Sequence, residues 1–163
     1  MFRHIFRKNK PASNKDVQVM QREKLSKDLD ENIKCIREAL ANCCDLASRS
    51  IRIGRDRQIR AHIFFLDGMV DSGFMAANVL KPLMLLDPGD TGGSELDEEI
   101  LNSLLPAGTV DIIKNPTILV SRILSGSIAI IIEGRENAFA IEAIGWQERA
   151  VEESQTETVV KGA

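Results

Sequence analysis

The stretch "IRAHIFFLDG", residues 59–68, constrains this chain more than any other. Ile59, Ala61, Ile63 and Phe65 alternate onto one face of an extended segment, the period-2 pattern of a strand. Within it, "IFFL" is apolar at consecutive positions and therefore on both faces of a pleated backbone. Such a strand belongs at the centre of a sheet, and Asp67-Gly68 ends it. The core around it has to be aliphatic. Hydrophobic residues make up 44% of the chain, but aromatics only 4%, with no Tyr and one Trp.

The clearest helix precedes that strand. Leu25, Leu29, Ile33, Ile36, Leu40 and Cys43 or Cys44 recur at steps of three and four, while Lys27, Asp28, Asp30, Glu31, Lys34 and Glu38 face away. A stripe this narrow implies packing on one side, against a sheet. "SRSIRI" (48–53) alternates as a further strand, joined to 59–66 by a charged turn at Gly54 to Gln58. Asp71 caps a helix expected to run to about Leu80, before Pro82. A loop containing "DPGDTGG" leads to a helix begun by Ser94 with Asp97, Glu98 and Glu99 at its positive end, stopped by Pro106 and Gly108. Asn115 caps the next, with Pro116 in its first position and Gly126 beyond its end. "SIAIIIEGRENAFAIEAIGW" reads as a hairpin with a polar turn at Gly134 to Asn137. The order is helix, two strands, three helical pieces, two strands. It predicts an α/β (α+β) sandwich with a small mixed or antiparallel sheet of about four strands and about four helices.

At 163 residues there is room for one ordinary domain, read here as 25–146. Residues 1–24 form an expected flexible leader, basic over its first ten residues, whose Phe2, Ile5 and Phe6 suit either disorder or contact with an anionic membrane surface. The longest apolar run, "IAIII" at 128–132, is far short of the roughly 20 residues of a spanning helix. A net charge of −3 argues against a nucleic-acid partner. Cys35, Cys43 and Cys44 lack zinc-site spacing and suit a reduced protein.

No motif carries chemistry outright, and no cofactor, metal or catalytic residue is assigned. The "DPGDTGG" loop lacks the Lys and Ser/Thr of a phosphate cradle. Asp67 and Asp71 are carboxylates of the type that hold magnesium, although a strand-end turn and a helix cap account for both without a ligand. His62, in an apolar strand, reads as a packed or hydrogen-bonded core residue. Arg52, Arg55, Arg57 and Arg60 cluster at the first hairpin turn, as either a solvated turn or contacts for an anion or acidic partner.

Four stretches taken together resemble a known group: "FFLDGMVD" (64–71), "LKPLM" (80–84), "IIEGRENAFAIEAIGWQERAVEE" (131–153) and "SQTETVVKGA" (154–163). From about residue 25 onward the chain is similar to the soluble N-terminal region of the A subunit of GerA-family spore germinant receptors. The resemblance implies a non-enzymatic domain acting in receptor assembly or signal relay during spore germination. The alternative is a sensor that binds a germinant, an amino acid or sugar, directly. Implied partners are B- and C-type subunits, with a second copy as the further candidate. The implied location is the spore inner membrane, reached through a C-terminal region beyond Ala163, with this domain on the cytoplasmic side. Residues 147–163 then form a connector toward a second subdomain, with Trp146 sealing the core edge and Glu152, Glu153 and Thr156 along the joint. Two features depart from the family's pattern. Ser154 stands where Pro commonly follows the paired Glu, and the usual Pro-Arg-Glu-Gly-Phe continuation after "VVKG" is replaced by Ala163.

Overall fold

The computed structural model describes residues 22–56, 58–87 and 94–142. The doubly apolar strand is β2 (Ile59–Leu66), placed between β1 (Leu46–Ile53) and β4 (Ile128–Ile132). With β5 (Ala138–Glu142) and β3 (Thr109–Ile113) the sheet runs β1-β2-β4-β5-β3, and every neighbouring pair is antiparallel. Register fixes which side chains share a face: Ile63 opposes Ile130, which opposes Phe139, while Phe64 opposes Ala129, which opposes Ala140.

Both faces are covered. Ile63, Ile128, Ile130, Ile132, Phe139 and Ile141 meet a helical layer formed by α2 (Ser72–Met75), a π-helical turn (Ala76–Leu80), α3 (Lys81–Leu85) and α4 (Ser94–Leu104). That layer contributes Met75, Val79, Leu83, Leu96, Ile100 and Leu104. On the opposite face Phe64, Ile131 and three alanines, Ala129, Ala138 and Ala140, meet α1 (Leu29–Ala39) and α5 (Pro116–Leu124) through Leu29, Ile36, Leu119 and Ile123. Each fully buried Ile or Leu contributes about 1.5–3 kcal/mol of transfer free energy.

Capping residues set the helix starts. Asp71 Oδ1 accepts from the Phe74 N–H at 2.7 Å, and Asn115 Oδ1 accepts from the N–H groups of Thr117 and Ile118 at 2.8 and 3.2 Å. Asp28 does the same for Glu31 at 3.1 Å, so α1 begins at Leu29 and not at Leu25. Leu25 is nevertheless buried, and its N–H donates to the Lys114 carbonyl at 2.8 Å. Beyond Ala39 the apolar stripe continues in turns: Leu40 is buried, Cys43 partly so and Cys44 exposed.

Two features differ from the sequence expectation. The helical stretch 72–85 does not stop before Pro82. A proline ring has no N–H to donate and collides with the carbonyl four residues back in a regular α-helix. Here the preceding residue, Lys81, donates to Ala76 five residues back, and this wider π-turn changes the ladder just ahead of the ring. Asn78 Nδ2 supplies a side-chain donor to the Phe74 carbonyl at 3.1 Å. The second difference is the extra strand β3. Its five residues, "TVDII", carry too short an alternation to announce themselves, and Asp111 is held from α5 by Arg122 at 2.7 Å.

Gly126 ends α5 with φ +92°, a backbone region that L side chains rarely adopt. A Cβ there would lie 2.7 Å from Met69 Cε, but Met69 is exposed and can swing aside, so backbone strain dominates. Gly126→Ala should lower the free energy of unfolding by about 1–2 kcal/mol. Urea denaturation checks this, and an unchanged midpoint would contradict it.

Candidate functional site

Two grooves open at the end of the sheet that carries the β1–β2 and β4–β5 turns. The first, about 280 Å³, lies between α1 and the β1–β2 pair and is lined by Leu29, Asp30, Ile33, Ser50, Arg52 and Arg60 among others. Arg52 and Arg60 are cross-strand partners. Arg60 pairs with Asp30 at 2.8 Å and Glu133 at 3.3 Å, so its charge is shared by two carboxylates. Arg55 is exposed at the turn. Its N–H donates to Leu86 at 2.9 Å and that of Gly54 to Leu83 at 3.0 Å, which fastens the turn to the end of α3.

The sequence candidates are not gathered into one place. Arg52 enters this groove and Arg55 flanks it, whereas Asp67 and Asp71 follow the far end of β2, eight residues away at about 3.3 Å per residue. Asp67 accepts from the Gly68 N–H at 3.1 Å, and Asp71 caps α2. Arg57, Trp146, Glu152, Glu153 and Thr156 lie outside the described residues.

His62 is buried in β2, as its apolar setting suggested. Ser50 Oγ and His62 Nδ1 lie 2.9 Å apart, and the ring meets Phe64 edge-on at 4.7 Å. The separation is that of a nucleophile and its base, but the chemistry is wrong for one. Burial, then the charge of Arg37, pushes the imidazole down to about 4 against a weaker opposing pull from Asp30. An imidazole this weakly basic is a poor acceptor for a serine proton, and among the described residues Nε2 has no orienting partner.

The second groove, about 340 Å³, was not visible in the sequence. Lys24 and Lys27 precede α1, Asp97 lies on α4, Lys114 follows β3, and Gly134 to Asn137 form the β4–β5 turn. Two backbone bonds of 2.8 Å hold the walls together, from the Leu25 N–H to Lys114 and from the Gly134 N–H to Lys27. Inside, Arg135 pairs with Asp97 Oδ1 at 3.2 Å and Asn137 Nδ2 donates to Asp97 Oδ2 at 3.0 Å. Local patterning marked only a polar turn at 134–137, because the lysines come from separate segments.

A testable consequence concerns His62. Folded, it takes a proton only near pH 4, whereas an unfolded histidine does so near 6.5, so the unfolded chain binds more protons between these values. Stability should therefore fall as pH drops through this window, by up to about 3 kcal/mol from this group. Subtracting denaturation curves of His62→Leu from those of the parent isolates the contribution. A difference constant from pH 6.5 to 4 would contradict it.

Residues 34–163 match the family model of the Bacillus/Clostridium GerA spore germination protein. Spore germination protein KA of Bacillus subtilis (strain 168) is 24% identical over 138 residues, covering 85% of this chain and 25% of that protein. Stage V sporulation protein AF of the same organism is 29% identical over 127 residues, covering 78% and 25%. The chain thus spans about a quarter of the length of these curated relatives. The crystal structure of the N-terminal domain of the A subunit of the Bacillus megaterium spore germinant receptor GerK3 is similar with a TM-score of 0.65 and 26% identity, covering 74% of this chain and 48% of that one. With the family match extending over most of its length, this chain belongs to the GerA family of spore germination proteins.

Proposed function

We propose that this chain acts without catalysis, as the first part of the N-terminal region of a germinant receptor A subunit, in assembling the receptor or relaying its signal. The structural likeness carries this reading: the fold accounts for 74% of this chain but only 48% of the related A-subunit domain, as expected of one module in a larger unit. The carboxylates and the imidazole that suggested chemistry support it too. Asp71 is used as a cap, Asp67 holds a turn, and His62 is buried and weakly basic.

The contact surface in this reading is the outer edge of the sheet. β1 is an edge strand, and its Ser48, Arg49, Ser50 and Arg52 are exposed, with Arg55 at the adjoining turn. Arginines on an edge discourage indiscriminate strand pairing while favouring an acidic partner surface. The partners are B- and C-type subunits of the receptor. The larger protein would reside in the spore inner membrane with this module on the cytoplasmic side. Among the described residues no helix is long and apolar enough to cross a membrane.

Size-exclusion chromatography with light scattering, combined with pull-down against the B- and C-type subunits, tests the proposal. The chain should be captured, and Arg49→Glu/Arg52→Glu/Arg55→Glu should reduce capture at least tenfold with an unchanged circular dichroism spectrum. A strict monomer indifferent to both subunit types would overturn the reading.

A further inference from the structure

β1 is paired along one side only. All of its residues have partners in β2, and among the described residues no strand lies beyond it. Two hydrogen bonds just outside the ladders show which backbone groups are left over. The Asp67 N–H donates to the Asp45 carbonyl at 2.8 Å, one step before Leu46 opposes Leu66, so Asp45 and Asp67 face each other across the β1–β2 seam. The Glu133 N–H donates to the Arg60 carbonyl at 3.0 Å, so Arg60 faces β4 while its neighbours Ile59 and Ala61 face β1. In an antiparallel sheet this orientation alternates residue by residue. Ala47, Arg49, Ile51 and Ile53 therefore bond to β2, and Leu46, Ser48, Ser50 and Arg52 turn their N–H and C=O groups outward.

That outward row is open as well as unpaired. Ser48, Arg49 and Ser50 are exposed, and two of the four outward positions carry only the small side chain of serine. The charge beside it has one sign. Arg49 is exposed on one face of the strand, the exposed Arg37 reaches Ser48 Oγ on the other at 3.1 Å, and β1 itself contains no acid. A second copy of this edge would set the same arginines against each other, whereas a strand bearing carboxylates complements them. The opposite edge offers less: β3 has five residues, and Lys114 just beyond it already accepts from the Leu25 N–H.

We propose that β1 receives a sixth strand, an extended segment of a partner subunit with carboxylates on both of its faces. Its backbone pairs with Leu46, Ser48, Ser50 and Arg52, and its acids meet Arg49 on one face and Arg37 on the other. The proposal rests on the assembly reading and specifies it: a backbone ladder holds the partner, and the arginines select it.

Ser48→Pro tests the ladder without touching the charge. It removes an N–H that the fold does not use, and proline is tolerated at such a place on an edge strand. Ser48→Ala loses the same bond to Arg37 and serves as the control. Pull-down of the 163-residue chain by detergent-solubilised B- and C-type subunits should fall at least tenfold for Ser48→Pro and stay unchanged for Ser48→Ala. Equal capture of Ser48→Pro and the parent would overturn strand addition and leave the assembly reading intact, while no capture of the parent would overturn both. Should Ser48→Pro fail to fold, amide hydrogen exchange in the parent chain decides. Adding the capturing subunit should slow exchange at Leu46, Ser48, Ser50 and Arg52 at least tenfold and leave Ala47, Arg49 and Ile51 unchanged. Protection without this alternation would overturn the proposal.

Discussion

Everything in this domain is organised around the burial of β4 on both sides. Its five residues, "IAIII", are all buried, with Ile128, Ile130 and Ile132 toward one helical layer and Ala129 and Ile131 toward the other. A strand apolar on both faces cannot sit at an edge or against water. Helices must therefore cover both faces, and β2 and β5 must satisfy its backbone on either side. Functional surface is consequently left to edges, turns and helix starts, which is where both grooves are found.

Much of this was legible because the signals were local and redundant. Alternation plus "IFFL" identified β2 as central, and Asp71 and Asn115 announced their helices by capping chemistry that the structure contains. What escaped was what depends on distant partners. β3 has only five residues and draws its place from pairing with β5. The passage of a helix through Pro82 depends on a π-turn that no residue-by-residue propensity contains. The sites divide in the same way. An arginine cluster was readable on one hairpin, although Arg60 proved to be tied to Asp30 and Glu133 from other elements. The lysine groove was invisible, since it exists only once α1's lead, the β3–α5 loop and the β4–β5 turn are brought together.

His62 shows how the sheet governs chemistry as well as packing. A histidine and a serine within hydrogen-bonding distance usually invite a catalytic reading. Here the ring is enclosed against Phe64, and the nearby cation on Arg37 disfavours its charged form further. The strand position that makes His62 inaccessible also makes it weakly basic, so structure and electrostatics agree on a constitutive, neutral role.

The strand order has a kinetic consequence as well. β1 and β2 are sequence neighbours and pair through a short turn, but the other edge of β2 is closed only when β4 arrives, with Ile63 meeting Ile130 across two intervening helical segments, β3 and α5. Until those elements are synthesised, the inner edge of the hairpin has no strand beside it. Such long-range closure slows folding and prolongs exposure of an aggregation-prone strand. Arg49 and Arg52 on the outer strand put charge at the hairpin's other edge, which opposes unwanted strand pairing there whether or not the sheet is complete.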